Sequence, residues 1–168
     1  DGARFANAVA FLDCHPGDVT WRAGVDVLSF GATKNGALAA ESVVFFNPDL
    51  VRDFEFRRRR AGHLLSKSRF VAAQLLAYVE TGLWQRNAHR ANDLARRIGR
   101  AAGSALLHPV EANEVFVHLG EPRKAQLRAQ GFEFYDWGPE ACGEARFVAS
   151  WDQPESDVDA LVHALTRG

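Results

Sequence analysis

DVLSFGATKNG, residues Asp26–Gly36, is the stretch on which the fold turns. Val25, Val27, Leu28 and Phe30 make a short apolar run rich in strand formers, bounded by Gly24 and Gly31. Small and turn-forming residues come next, Ala32-Thr33, then Lys34, then Asn35-Gly36. Two readings stand side by side. A lysine just past the end of a buried strand loses water, and desolvation favours the neutral amine that condenses with an aldehyde. Alternatively, Asn35-Gly36 is a hairpin turn with an exposed lysine beside it. The next strand-like run, Ser42–Phe46, starts too far along for a two-residue hairpin, so the segment between reads as a longer loop.

Working outward, Ala6–Phe11 reads as the first turns of a helix, ended by His15-Pro16-Gly17. Ser42–Phe46 is β-branched and aromatic, the pattern of a strand covered on both faces. Asn47-Pro48 stops it. From about Leu50 to Val79 the spacing predicts one long helix, with Leu64, Val71, Leu75 and Tyr78 on one stripe and Leu65, Ala72, Leu76 and Val79 on the next. So wide an apolar face implies a central helix packed on more than one side. Trp84, Ala88, Ala91, Leu94, Ala95 and Ile98 continue at helical spacing to about Ala102.

The remainder alternates. Val115, Val117 and Leu119 interleave with Glu114, Phe116 and His118 as in a strand, and Glu121–Ala129 is a short polar helix. Phe132–Trp137 and Arg146–Trp151 are aromatic strands, and Pro154–Thr166 is a closing helix. In Arg146–Trp151, Phe147, Ala149 and Trp151 fall on one face and Arg146 on the other. Phe132, Phe134, Tyr135 and Trp137 read as core and rim of a small domain. The divisions are 1–49, a sheet-bearing part; 50–103, connecting helices; and 104–168, a small α+β domain.

Composition narrows the function. The chain has 168 residues, 47% hydrophobic and 24% charged, with 20 basic against 21 acidic side chains and a net charge of −1. Nothing global draws it to nucleic acid or to an anionic membrane. Arg57–Arg60 is a local exception, but four consecutive helical residues fan around the circumference and form no single basic face. No apolar run approaches a transmembrane length, and Cys14 and Cys142 stand apart from any metal or disulfide spacing. These features predict a cytoplasmic protein with free thiols and no metal. Asp1, Gly2 and Arg4 at the opening read as the end of a strand whose body is missing, and the sequence as the C-terminal part of something longer.

Four motifs in order, Asp1-Gly2-Ala3-Arg4, SFGATKNG at 29–36, AGHLLSK at 61–67 and RFVASW at 146–151, resemble the threonine aldolase/β-eliminating lyase family. The resemblance covers essentially the whole chain. It implies an α/β fold: the C-terminal part of an aspartate-aminotransferase-like (fold type I) enzyme, with the end of the large-domain sheet, long connecting helices and a small α+β domain. It also implies the cofactor pyridoxal 5'-phosphate. Lys34 matches the lysine that binds the cofactor aldehyde, and Asp1 matches the carboxylate paired with the pyridine nitrogen. Arg4 and Arg146 match arginines of the pocket; at Arg146 the implied role is bidentate capture of the amino acid carboxylate. Arg60 and Lys67 match basic positions that help bind the cofactor phosphate, across a subunit interface of a homodimer or homotetramer. The implied reaction cleaves β-hydroxy-α-amino acids (threonine, allo-threonine or phenylserine) to glycine and an aldehyde. Asn35-Gly36 after the lysine is similar to a branch that includes phenylserine-type aldolases. A non-catalytic α/β interaction domain on the same scaffold is the alternative, although a scaffold alone requires none of Lys34, Asp1 and Arg146.

Overall fold

A computed structural model describes residues 1–167. The chain forms two compact units, Asp1–Asn87 and Ala88–Gly168.

In the first unit, β1 (Val27–Gly31) and β2 (Glu41–Phe45) pair antiparallel, with Leu28 opposite Val44 and Gly31 opposite Glu41. The connection over 32–40 is the long loop expected from the spacing. Gly2 bridges Phe30 in parallel, so the opening residues lie along β1 before α1 (Phe5–Leu12) begins. Only glycine fits there: a Cβ on Gly2 would lie 2.2 Å from the carbonyl oxygen of Ser29.

The single helix expected over 50–79 is two helices, α2 (Phe54–Arg60) and α3 (Arg69–Glu80). The break is at Gly62, which takes φ +75°, a left-handed conformation that ends a helix at little cost for glycine. Residues 63–68 then run outside any helix. Tyr78 of α3 is buried with Ala32 and Ala40, and Val71 and Leu75 pack against that cluster. On the adjoining stripe Leu76 and Val79 are exposed, so α3 is packed on one side within this unit, not on several. β2 is also less covered than its composition implies. Val43 is 44% exposed, because the strand packs through one face only.

Helix α4 (Leu83–Ala102) carries the boundary between the units. In the second unit β3 (Glu114–His118), β4 (Tyr135–Trp137) and β5 (Glu144–Val148) form an antiparallel sheet in the order β3-β5-β4. α5 (Glu121–Ala129) and α6 (Glu155–Thr166) match the expected helices. Val115, Val117, Ala145, Phe147 and Ala149 are buried with Leu127 of α5 and with Val158 and Leu161 of α6. Phe132 and Phe134 pack against this core outside any strand, and only Tyr135–Trp137 of that aromatic run joins the sheet. β5 starts earlier and stops sooner than expected, because the backbone leaves the ladder after Val148. The expected alternation survives the shift: Phe147 and Ala149 are buried while Arg146 lies on the opposite face.

Candidate active site

Lys34 stands in a 3-10 turn, Thr33–Asn35, immediately after β1. The turn is rigid because its neighbours are tied down. Ala32 N–H donates to the carbonyl of Ala40 at 2.9 Å, and Ala40 N–H donates to Thr33 Oγ1 at 3.1 Å. Gln74 Oε1 of α3 accepts from Leu38 N–H at 2.9 Å. Asn35, 3% exposed, anchors the centre: its Nδ2 donates to Tyr78 Oη at 2.5 Å and to the carbonyl of Trp84 at 2.8 Å. Its own carbonyl accepts from Asn87 Nδ2 at 2.9 Å. Burial pushes the Tyr78 hydroxyl above its ordinary range, opposed by the Asn35 hydrogen bond. The hydroxyl therefore stays protonated.

The turn buries Asn35 inward and leaves Lys34 exposed. The desolvation expected of a lysine beyond a buried strand is thus not supplied within this unit: β1 is buried on one face only. No carboxylate among the described residues forms an ion pair with Lys34. We expect Asn35→Ala to destabilise the first unit by about 1–3 kcal/mol, since Trp84 and Tyr78 lose a buried partner. A urea titration with an unchanged slope and a lower midpoint is the expected record; an unmoved midpoint would mean the anchor is dispensable.

Asp1-Gly2-Ala3-Arg4 lies against the same strand. The Gly2 carbonyl accepts from Gly31 N–H at 3.4 Å and from Phe5 N–H at 3.0 Å. Asp1 is exposed, with Oδ1 accepting from Ala3 N–H at 2.9 Å. Arg4, half-buried, precedes α1. Two motifs far apart in sequence are therefore adjacent, one carrying an acid and a guanidinium, the other an amine. This donor set fits an aldehyde-bearing cofactor with a protonated ring nitrogen and anionic substituents.

The other basic positions differ from expectation. Arg60 is the last residue of α2 and exposed. Lys67 is exposed in the 63–68 segment, not on a helix. Asp53, Phe56, Arg57, Arg59 and Arg60 line a shallow hollow of about 710 Å³ on α2. Arg146 belongs to the second unit, in the central strand of its sheet. Its Nη1 lies 3.2 Å from Glu114 Oε1, and its Cζ lies 4.8 Å from the Tyr135 ring centroid and 5.2 Å from that of Trp137. The sequence reading missed Glu114 as its partner. The signal was present, since Glu114 shares its face of β3 with Phe116 and His118, opposite the apolar Val115 and Val117. Among the described residues there is no group of His, Cys, Asp and Glu placed to hold a metal. Among the same residues no helix is long and apolar enough to cross a membrane.

Lys34 thus stands just beyond a strand of an α/β unit, with the acidic Asp1 on the neighbouring chain segment. The chain belongs to the beta-eliminating lyase family, whose sequence pattern matches residues 1–122. It is 49% identical over 169 aligned residues to the low specificity L-threonine aldolase of Pseudomonas aeruginosa, covering 98% of this chain and 48% of that protein. It is 46% identical to the low specificity L-threonine aldolase of a Pseudomonas species, over 96% of this chain and 47% of that one. A solved structure of Leishmania major threonine aldolase superposes with a TM-score of 0.89 at 25% identity, covering 99% of this chain and 50% of that one. The fold is that of the fold type I enzymes, and the chain spans about half the length of the relatives it matches.

Proposed function

We propose that this chain supplies the lysine-bearing part of a cytoplasmic aldolase that cleaves β-hydroxy-α-amino acids to glycine and an aldehyde. The observation that carries the reading is the placement of Lys34 at the end of β1, alongside the Asp1–Arg4 segment that Gly2 ties to that strand. Pyridoxal 5'-phosphate, when bound, offers an aldehyde to an amine and a protonated ring that withdraws electrons from the substrate. Lys34 provides the amine that holds the cofactor and, when released, can carry a proton to the substrate Cα. Asp1 keeps the proton on the ring nitrogen through its negative charge. Arg4 and Arg146 take the substrate carboxylate, and Arg60 and Lys67 offer positive charge to the phosphate. The exposed Leu64, Leu65, Phe70 and Leu76 support a homodimer or homotetramer, since burial against another chain would remove these large apolar side chains from water.

The direct test is product analysis. The full-length protein with cofactor, given threonine, allo-threonine or phenylserine, should yield glycine and the matching aldehyde in equal amounts. Cofactor bound to Lys34 with no aldehyde from any of the three would refute the aldolase reading.

A further inference from the structure

The sheet of the second unit buries one face and leaves the other open. Across the open face the register places Phe116, Arg146 and Tyr135 in one row, with Glu114 and Trp137 in the rows beside it. Arg146 is thus set among rings. Tyr135 and Trp137 both lie within cation–π distance, and Phe116 meets the Trp137 ring edge-on at 4.9 Å between centroids. Glu114 Oε1 approaches Nη1 at 3.2 Å. Arg146 Nε is buried and makes no hydrogen bond. The guanidinium edge formed by Nε and Nη2 is the one that grips a carboxylate side-on, and a buried charged donor without an acceptor is costly. A carboxylate placed there removes the cost.

β4 on its own is a weak element for holding rings in place. It has three residues, all exposed, and pairs along one edge only. Its middle residue supplies the restraint. Asp136 projects to the opposite face from Tyr135 and Trp137. There Oδ1 accepts from Lys124 Nζ at 2.6 Å and from Arg128 Nη2 at 2.9 Å, both on α5. Lys124 is 3% exposed and also bonds Glu121 Oε1 at 2.6 Å. The carbonyl of Trp137 accepts from Cys142 Sγ at 3.0 Å.

We propose that β4 is a positioning clip for Arg146: Asp136 pins the strand to α5, and Tyr135 and Trp137 hold the guanidinium plane so that its Nε–Nη2 edge stays presented to a carboxylate. The clip rests on the reading of Arg146 as the residue that receives the substrate carboxylate. Glu114 completes it by fixing Nη1 and balancing the charge while the other edge is empty. Without the rings the long arginine side chain samples other rotamers, and affinity falls before the chemistry does.

The test uses the full-length protein loaded with cofactor. The double variant Tyr135→Leu, Trp137→Leu should raise the KM for a β-hydroxy amino acid roughly tenfold, with a smaller change in kcat. Tyr135→Phe with Trp137→Phe keeps the rings and should restore most of the loss. Asp136→Asn should move KM the same way by a smaller factor. A readout independent of turnover is the Nε–H signal of Arg146 in arginine-labelled protein, assigned by its loss in Arg146→Gln. It should shift on titration with acetate in the parent and respond weakly in the leucine variant. If Arg146→Gln raises KM while the leucine variant and Asp136→Asn stay within about twofold of the parent, the clip is refuted and the arginine reading stands. If Arg146→Gln itself leaves KM unchanged, the carboxylate assignment fails, and the clip fails with it.

Discussion

Lys34→Ala in the full-length protein is expected to abolish aldehyde release while leaving the fold intact. In the proposed reaction the amine is the reacting group: it would hold the cofactor and carry a proton, and proton transfer alone is worth about 10²–10⁴ in rate. Loss of the covalent anchor adds to that. Stability should change little, because Lys34 is exposed and makes no ion pair among the described residues, and such surface substitutions move stability by about 0.5 kcal/mol or less. The assignment to this lysine rests on its match to the family motif, and the other two lysines of this chain are less suited to the role. Lys124 is fixed between Asp136 and Glu121, whose hydrogen bonds hold its ammonium above the ordinary lysine range, so it stays protonated and non-nucleophilic. Lys67 is exposed in the 63–68 segment, without the hydrogen-bonded support that surrounds the Thr33–Asn35 turn. Borohydride reduction and peptide mapping should place the pyridoxyl group on the peptide containing Thr33-Lys34-Asn35-Gly36. An adduct on any other lysine, or none with cofactor in excess, would overturn the assignment.

How far the fold and the site were legible in the sequence depends on the length scale of each cause. The β1 strand, its long loop and the placing of Lys34 just after it come from apolar patterning and from the distance to Ser42, all local. The adjacency of Gly2 to Phe30 was not read from the sequence, because nothing in composition states that a parallel bridge forms there. The break at Gly62 was hidden because one glycine in a helical pattern costs only about 1 kcal/mol, and whether it ends a helix depends on the packing of the residues beyond it. Here the residues after Gly62 stay exposed within the unit, and the helix stops. The same cause explains why Leu76, Val79 and Val43 remain exposed where patterning implied burial. A sequence announces that a side chain is apolar, not which surface covers it. In the second unit alternation placed Arg146 on the face opposite Phe147 correctly. Its pairing with Glu114 and its stacking on Tyr135 and Trp137 came from strand register, which the sequence of one strand does not specify.

Arg146→Lys is expected to raise KM and lower kcat, with a combined loss in kcat/KM of about 10²-fold, while the absorption spectrum of bound cofactor stays as in the parent. The reasoning begins with geometry. An amino acid held through its nitrogen has one fixed negative group left, its carboxylate, and a guanidinium fork can bind both oxygens at once. Arg146 is equipped for this, since Glu114 meets it at Nη1 while the buried Nε makes no hydrogen bond. Gripping both oxygens also fixes rotation at Cα, and so decides which bond is aligned with the ring system when it breaks. A lysine at this position keeps the charge and loses the fork, the guanidinium's contact over the Tyr135 ring and the second donor. The charge contributes to affinity, and the fork contributes to orientation as well, which is why both kinetic constants should move. Steady-state kinetics on the full-length protein, with the cofactor spectrum as control, decides the matter. A kcat/KM within about threefold of the parent, under about 1 kcal/mol in transition-state terms, would mean that Arg146 serves the sheet through Glu114 alone and that the carboxylate is held elsewhere.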